Sequence, residues 1–249
     1  MSIVIPVRGD AGPLARLLAG LAAPLASGAV EVIVAATDEP DPAIEALRPA
    51  WPAVTWVTGP RGRGTQLNAG AAAARGDWLW FVHADSRLPD AWFAAFEALA
   101  AAPADVVGGS FALRLDSGAW QARALERAVA LRVRWFDLPY GDQGIFVRRQ
   151  VFVQMRGFAP VPLMEDVEFV RRLGRLGRLR HLPAAVVTSA RRWEADGWVR
   201  RSTRNLLTLA LYDMGASPEW LARRYDRAPT RDREAKARPR VSRHEDPRC

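Results

Sequence analysis

The chain reads as an α/β protein built on a mostly parallel sheet flanked by helices, and three observations lead there. Strand-like runs alternate with helix-like runs through residues 1–100, the order that βαβ units impose. One of them, Trp78 to Val82, is almost uninterruptedly apolar, as expected of a strand buried on both faces of a parallel sheet. At 249 residues and 49% hydrophobic, the chain is long enough for one large core.

Each element has its own signature. SIVIPV is a first strand, and Leu14, Leu17, Leu18, Leu21 and Leu25 then recur at helical spacing behind Pro13. Val30 to Ala35 reads as a second strand, Ile44 to Leu47 as a short helix, Val54 to Val57 as a third strand and Thr65 to Arg75 as an alanine-rich helix. After the Trp78–Val82 strand, Asp90 to Ala102 reads as a helix, and Val106 to Leu115 alternates as a strand on a more open part of the sheet. The strict alternation then lapses. Gly118 to Phe136 is an amphipathic helix pattern, Gln143 to Arg148 a strand, and Asp166 to Leu176 a helix with Val167, Val170 and Leu173 on one side. Val186 to Ser189 reads as a short strand, and Trp198 to Met214 and Pro218 to Tyr225 as helices. This predicts one domain over residues 1–225 with a helical C-terminal part, and a basic disordered tail over residues 226–249, which lacks apolar side chains to bury.

The charge pattern argues against nucleic acid as a partner. Residues 223–249 hold ten Arg or Lys and five Asp or Glu, so +5 of the net +8 sits there and the body is only mildly basic. Lys236 is the sole lysine, which fits a compositional bias toward arginine rather than a phosphate-binding surface. The single cysteine, Cys249, excludes internal disulfides and cysteine metal sites. No stretch is apolar for the roughly 18 residues of a membrane span. Met1 leads straight into a strand with no basic or cleavable leader, so the expectation is a cytoplasmic protein, with at most peripheral contact at the inner face of the membrane. The helix AWQARALERAVALRVRWF has the composition to lie on a membrane and meet a lipid-linked acceptor, although core packing explains it too.

Four constellations carry chemistry. The Trp78–Val82 strand ends in His83 and Asp85, and strands of open α/β sheets deliver residues at their carboxyl ends to the ligand crevice. An acid there can hold a divalent cation against a phosphate; the alternative is that Asp85 and Ser86 cap the helix starting near Asp90. GPRGRGTQLNAG, residues 59–70, offers backbone N–H groups, Arg61, Arg63 and a helix N-terminus to a diphosphate, or else is a flexible basic loop. Glu165 and Asp166 open a helix behind Pro162; capping explains one acid well and both less well, and a carboxylate at that positive helix end stays ionised, as a general base for a hydroxyl must. SARRWE, residues 189–194, brings Arg192 and Trp193 together, suited to a phosphate and to a sugar or base, or alternatively to a packed Trp with arginines in solvent. The Gly141–Gly144 turn, GDQG, is a weaker polar patch.

The order of these parts resembles the family 2 glycosyltransferases with the Rossmann-like GT-A fold, and among them a short bacterial group named for radical-SAM or selenodomain association. The resemblance covers roughly residues 1–225 and rests on RGRGTQLNAGAAAARGDWLWFVHADSRLP, YGDQGIFVRR and PLMEDVEFVRR. It implies a metal, Mn2+ or Mg2+, held by Asp85 with His83 where the pattern usually has an aspartate; imidazole, the softer ligand, favours Mn2+. It implies that Asp166 deprotonates the acceptor with Glu165 beside it, and that SARRW is a diverged QxxRW element with Ser189 in place of glutamine, so processive synthesis is not implied. Pro6, Arg61, Arg63, Gln66, Asn68, Asp85, Gln143, Arg192 and Trp193 make up the expected donor-binding set. One departure stands out: many relatives follow the second strand with DDGS or DGGS, and here the chain reads AATDEPD, with Asp38 the nearest substitute.

The expected activity is inverting glycosyl transfer from a nucleotide-diphospho-sugar to an unknown acceptor hydroxyl. A sugar nucleotidyltransferase is the alternative among enzymes, and a catalytically silent nucleotide-sugar binding module the alternative outside them.

Overall fold

Ile3, Val4 and Ile5 are fully buried, so successive side chains of the first strand meet apolar layers on both faces of the sheet. The computed structural model describes residues 1–90 and 92–226. The expected tail, residues 226–249, lies outside them except for Asp226, which ends the last helix. The described chain falls into two units, Met1–Ala190 and the residues from Arg191 on.

In the first unit the order is β1 (Ser2–Val7), α1 (Ala11–Ala26), β2 (Glu31–Thr37), α2 (Pro42–Glu45), β3 (Thr55–Gly59), α3 (Arg63–Ala73), β4 (Trp78–Phe81), α4 (Trp92–Ala100), β5 (Val106–Leu115), α5 (Trp120–Phe136), β6 (Phe146–Arg148), α6 (Arg149–Gln154), α7 (Glu165–Leu173) and β7 (Arg178–Thr188). Leu14, Leu17, Leu18 and Leu21 form the buried stripe of α1, each worth about 1.5–3 kcal/mol of burial. The seven strands lie in the order β3-β2-β1-β4-β6-β5-β7. All pair in parallel except β6, which runs antiparallel to both β4 and β5. The expected mostly parallel sheet flanked by helices is thus the observed one.

Two features of this topology position the site. The strand order turns back on itself at β1, flanked by β2 on one side and β4 on the other, which opens a crevice at the carboxyl ends of these strands. Because β6 is reversed, with Trp78 opposite Arg148 and Trp80 opposite Phe146, it begins where β4 ends. The short 3-10 turn Gly141–Gln143 that precedes β6 therefore arrives at the crevice beside the residues that follow β4.

Successive residues of β4 anchor it from both faces. Trp80 is fully buried with ring centroids 4.8 Å from Phe96 and from Phe111 and 5.4 Å from Trp92. Phe81 meets Phe158 at 4.9 Å and Phe152 at 5.4 Å, and Phe158 stacks on Phe169 of α7 at 4.1 Å. The strand whose end carries His83 and Asp85 is thereby clamped between two aromatic clusters.

β7 is longer than the sequence pattern suggests, eleven residues rather than Val186 to Ser189. It is an edge strand whose RLRHLPAAVVT sequence is half polar, so burial alternation is weak. Its register with β5 slips between Phe111 and Ala112, opposite Leu182 and Ala185, and Pro183 falls in that irregularity, where the missing N–H costs no ladder bond.

The second unit contains α8 (Arg191–Asp196), α9 (Trp198–Asp213) and α10 (Pro218–Asp226). It is centred on Asp196, whose carboxylate accepts from Arg201 at 2.6 Å and Arg204 at 2.9 Å. No helix among the described residues is long and apolar enough to cross a membrane.

Candidate active site at the carboxyl edge of the sheet

The loop that follows β4 is held at both ends. Ser86 N–H bonds the carbonyl of His83 at 3.0 Å, and Arg87 exchanges backbone hydrogen bonds of 2.8 and 2.9 Å with Val187 of β7. Asp85 is exposed at the crown of this loop, and Ser86 Oγ is buried with no hydrogen-bond partner among the described residues. A capping role for the pair does not fit α4, which opens at Trp92 with its N–H bonded to the carbonyl of Pro89.

Gly141 is the meeting point of the site. Its N–H donates to Asp166 Oδ2 at 2.8 Å, and the other oxygen of Asp166 accepts from the N–H of Val167 at 2.8 Å. A Cβ added at Gly141 would lie 3.0 Å from His83 Nε2 and 3.3 Å from Asp166 Oδ2, so imidazole and carboxylate converge closely on this backbone and would have to give way to a side chain. Gly144 closes the same turn with φ +61°, a left-handed conformation that suits glycine, and its carbonyl accepts from Trp80 Nε1 at 3.1 Å.

The two acids that open α7 have separate duties. Glu165, 3% exposed, is paired with Arg63 at 2.8 Å, and Arg63 keeps 44% of its side chain in solvent. Burial raises the pKa of Glu165; Arg63 opposes that and Asp166 adds to it. Burial also works against the charged form of Arg63, but Glu165, Asp166 and Asp142 together outweigh it and raise its pKa. The residue before the pair, Met164, adopts φ +67° and caps α7 without a side-chain hydrogen bond, which leaves the first turn to its own acids.

Asp142 lies beside this group. One of its carboxylate oxygens is buried without a hydrogen-bond partner among the described residues. Burial raises its pKa to about 6, with Arg132 and Arg63 pulling it down and Asp166 pushing it up. Arg132 reaches over from α5, its guanidinium 3.4 Å from the centre of the Tyr140 ring and bonded to Gln143 Oε1 at 3.1 Å and the Leu138 carbonyl at 2.9 Å. The site is therefore a ring of Glu165, Asp166 and Asp142 set against Arg63 and Arg132.

Several residues expected at the donor are committed elsewhere. Gln66 is buried and donates to the carbonyls of Val7 and Ala35, tying the ends of β1 and β2 together. Asn68 exchanges two hydrogen bonds with the backbone of Phe158, and Gln143 is buried between Tyr140 N–H, Arg132 and the Phe111 carbonyl. Pro6 is half-buried in β1 opposite Ala35, at the crevice end. Arg61 is exposed in the loop between β3 and α3. In the AATDEPD segment it is Asp41, not Asp38, that joins the neighbouring loops, accepting from Gly9 N–H at 3.1 Å while capping α2. Arg192 and Trp193 belong to α8 in the second unit, Arg192 exposed and Trp193 beneath the guanidinium of Arg201 at 5.1 Å. Asp142 and Arg132 did not stand out in the sequence. The GDQG turn was the available signal for Asp142, whereas nothing local separates Arg132 from the other arginines of α5.

The sheet order and this crevice define the class of fold, and solved structures share it. The mannosyltransferase PcManGT from Pyrobaculum calidifontis, in complex with GDP-Man and Mn2+, is 18% identical and superposes with a TM-score of 0.64 over 88% of this chain and 65% of its own. TarS from S. aureus in complex with UDP-GlcNAc is 14% identical, with a TM-score of 0.57 over 76% of this chain and 58% of its own. Glucosyl-3-phosphoglycerate synthase from Mycobacterium tuberculosis, in complex with Mn2+, UDP and glucosyl-3-phosphoglycerate, is 19% identical, with a TM-score of 0.55 over 74% and 69%. The chain thus spans less than two thirds of the length of the first two. No curated protein matches it in sequence. The profile of Glycosyl transferase family 2 matches residues 2–161, and the chain belongs to that family.

Proposed function

We propose that the protein transfers a glycosyl group from a nucleoside-diphosphate sugar to an acceptor hydroxyl with inversion at the sugar carbon. The observation that carries this reading is the carboxylate of Asp166, held at the crevice by the N–H groups of Gly141 and Val167 with a further lone pair left on each oxygen. Asp166 takes the proton of the acceptor hydroxyl, the acceptor oxygen bonds to the anomeric carbon, and the bond from that carbon to the diphosphate breaks with its electron pair going to the leaving group. The donor's diphosphate sits against Arg61, the exposed part of Arg63 and the N-terminus of α3, which supply fixed positive charge where negative charge develops. Glu165 acts one step removed, as the residue that positions Arg63.

The donor set fits a divalent cation. Asp85 is an exposed carboxylate at a strand end, two residues from a half-buried imidazole. Among the described residues no three His, Cys, Asp or Glu gather as a metal cluster, so a cation held here would need further oxygen ligands, which a diphosphate can supply. Bound by Asp85 and His83, the ion would neutralise charge on the departing diphosphate. Two proteins of this fold are in complex with Mn2+, which supports use of a divalent metal.

A thermal-shift titration with GDP and UDP sugars, with and without Mn2+, tests the reading on the parent and on Asp85→Ala. Metal-dependent stabilisation of the parent that disappears in Asp85→Ala is the expected result. Equal stabilisation of both would sink the metal assignment, and binding without any donor hydrolysis or transfer would favour the silent binding module.

A further inference from the structure

α5 buries only part of its circumference. Ala122, Val129 and Val133 face inward, and Val129 and Val133 pack with Leu125 on Leu113 of β5. On the other side Trp120, Leu131 and Trp135 are 75, 45 and 67% exposed. At about 100° per residue these three, with Ala124 and Ala128, fall in one arc of roughly 80°. Arg127 and Arg134, both exposed, border that arc on one edge, and Phe136, 70% exposed, extends the apolar surface at the helix end. Two indoles left in water on one helix face are a costly arrangement unless another phase covers them.

The charges around the stripe say which phase. Arg123 is committed to Glu126 and to the carbonyls of Leu115 and Ser117, and Arg132 to Tyr140 and Gln143. Glu126, the acid of this helix, bonds Arg123 and the N–H of Leu115. Asp137, just past the helix, is paired with His181 at 3.0 Å. What α5 turns outward is therefore indole and leucine beside two arginines, the composition of a helix lying in the plane of an anionic membrane surface. The same arginines oppose a second copy of the chain, because two such faces would bring like charges together on molecules that each carry +8.

We propose that α5 docks the protein on anionic lipid bilayers, with Trp120, Leu131 and Trp135 inserted at headgroup depth and Arg127 and Arg134 on lipid phosphates. This rests on α5 alone and does not depend on the chemistry proposed for the site.

The test is flotation of the full chain with vesicles of phosphatidylcholine alone and with vesicles that are about one-third phosphatidylglycerol. The parent should float with the anionic vesicles and stay behind with the neutral ones. Arg127→Ala with Arg134→Ala should weaken anionic binding about 30-fold, as expected for two arginines near such a surface, and Trp120→Ser with Trp135→Ser should weaken it at least about 10-fold. Both double variants should melt within about 2 °C of the parent, since the side chains are exposed. If the tryptophan variant melts low, the arginine variant decides. Failure of the parent to float, or flotation of both variants like the parent, overturns the proposal. So does a parent that is dimeric by light scattering and becomes monomeric on loss of the tryptophans, which would make the face a contact between copies.

Discussion

Arg63 and Glu165 lie 102 residues apart in the chain and meet at 2.8 Å, joining the first residue of α3 to the first residue of α7. The pair sets two helix N-termini side by side, the one proposed above to face the donor's diphosphate and the one carrying Asp166. Because Glu165 is fully buried and Arg63 only partly, removing either partner has unequal consequences.

Arg63→Ala leaves a buried carboxylate without its cation and should destabilise the fold by about 2 kcal/mol, between the values for exposed and fully buried pairs. Glu165→Gln keeps an acceptor for Arg63, whose guanidinium can also turn to water, and should cost less than half of that. The deficit of Arg63→Ala should shrink as pH falls, because Glu165, with its pKa raised by burial, then takes up a proton and no longer needs the cation. Thermal melts of the three proteins at neutral and acid pH measure both effects; a pH-independent deficit would contradict the ion-pair account.

Asp166→Asn should leave donor binding within about threefold of the parent while slowing turnover by roughly 100- to 10,000-fold, the usual cost of losing a general base. Asparagine can still accept from one backbone N–H, so the helix start survives. Single-turnover rates, or slow donor hydrolysis if the acceptor is not in hand, separate binding from chemistry. A parent-like rate in Asp166→Asn would move the base to another residue of the ring, Asp142 first.

Asp142 predicts a pH signature in stability. Its carboxyl binds its proton more tightly in the folded chain, with a pKa of about 6 against 3.8 for an ordinary aspartate. Ionisation therefore costs stability, a cost absent below the lower value and complete above the higher one. Asp142→Asn should raise stability at pH 7.5, by at most about 3 kcal/mol and with a higher melting temperature, and should have little effect near pH 4. Equal gains at both pH values would show that the buried carboxylate is not the cause.

The two glycines of the turn should respond differently to alanine. Gly144→Ala puts a Cβ 2.7 Å from Trp80 Nε1 at φ +61° and should cost about 1–3 kcal/mol of stability. Gly141→Ala meets only the side-chain ends of His83 and Asp166, at 3.0 and 3.3 Å, so stability should change little while turnover falls roughly 10- to 100-fold through displacement of the base. Paired melting and rate measurements on both variants check the contrast.

The elements legible in the sequence are those whose cause is local. The apolar run Trp78–Val82, the leucines of α1 and the acids opening α7 declare themselves by periodicity and by the chemistry of helix starts, which neighbours within a few residues dictate. The reversed direction of β6 was not legible, since a three-residue strand carries no mark of its direction, and neither was the full length of the half-polar edge strand β7.

The sequence by itself determined that a mostly parallel sheet forms and that His83, Asp85, Glu165 and Asp166 come from the ends of a strand and a helix, because side-chain periodicity and capping are properties of contiguous residues. The tertiary structure decided which polar side chains remain for chemistry. Gln66 is taken by carbonyls of β1 and β2, Asn68 by the backbone of Phe158, 90 residues away, and Glu165 by Arg63, while reversal of β6 carries Gly141 and Asp142 to His83 and Asp166. A hydrogen-bonding group is spent or left over according to what the fold places within about 3 Å of it, and such partners come from anywhere in the chain.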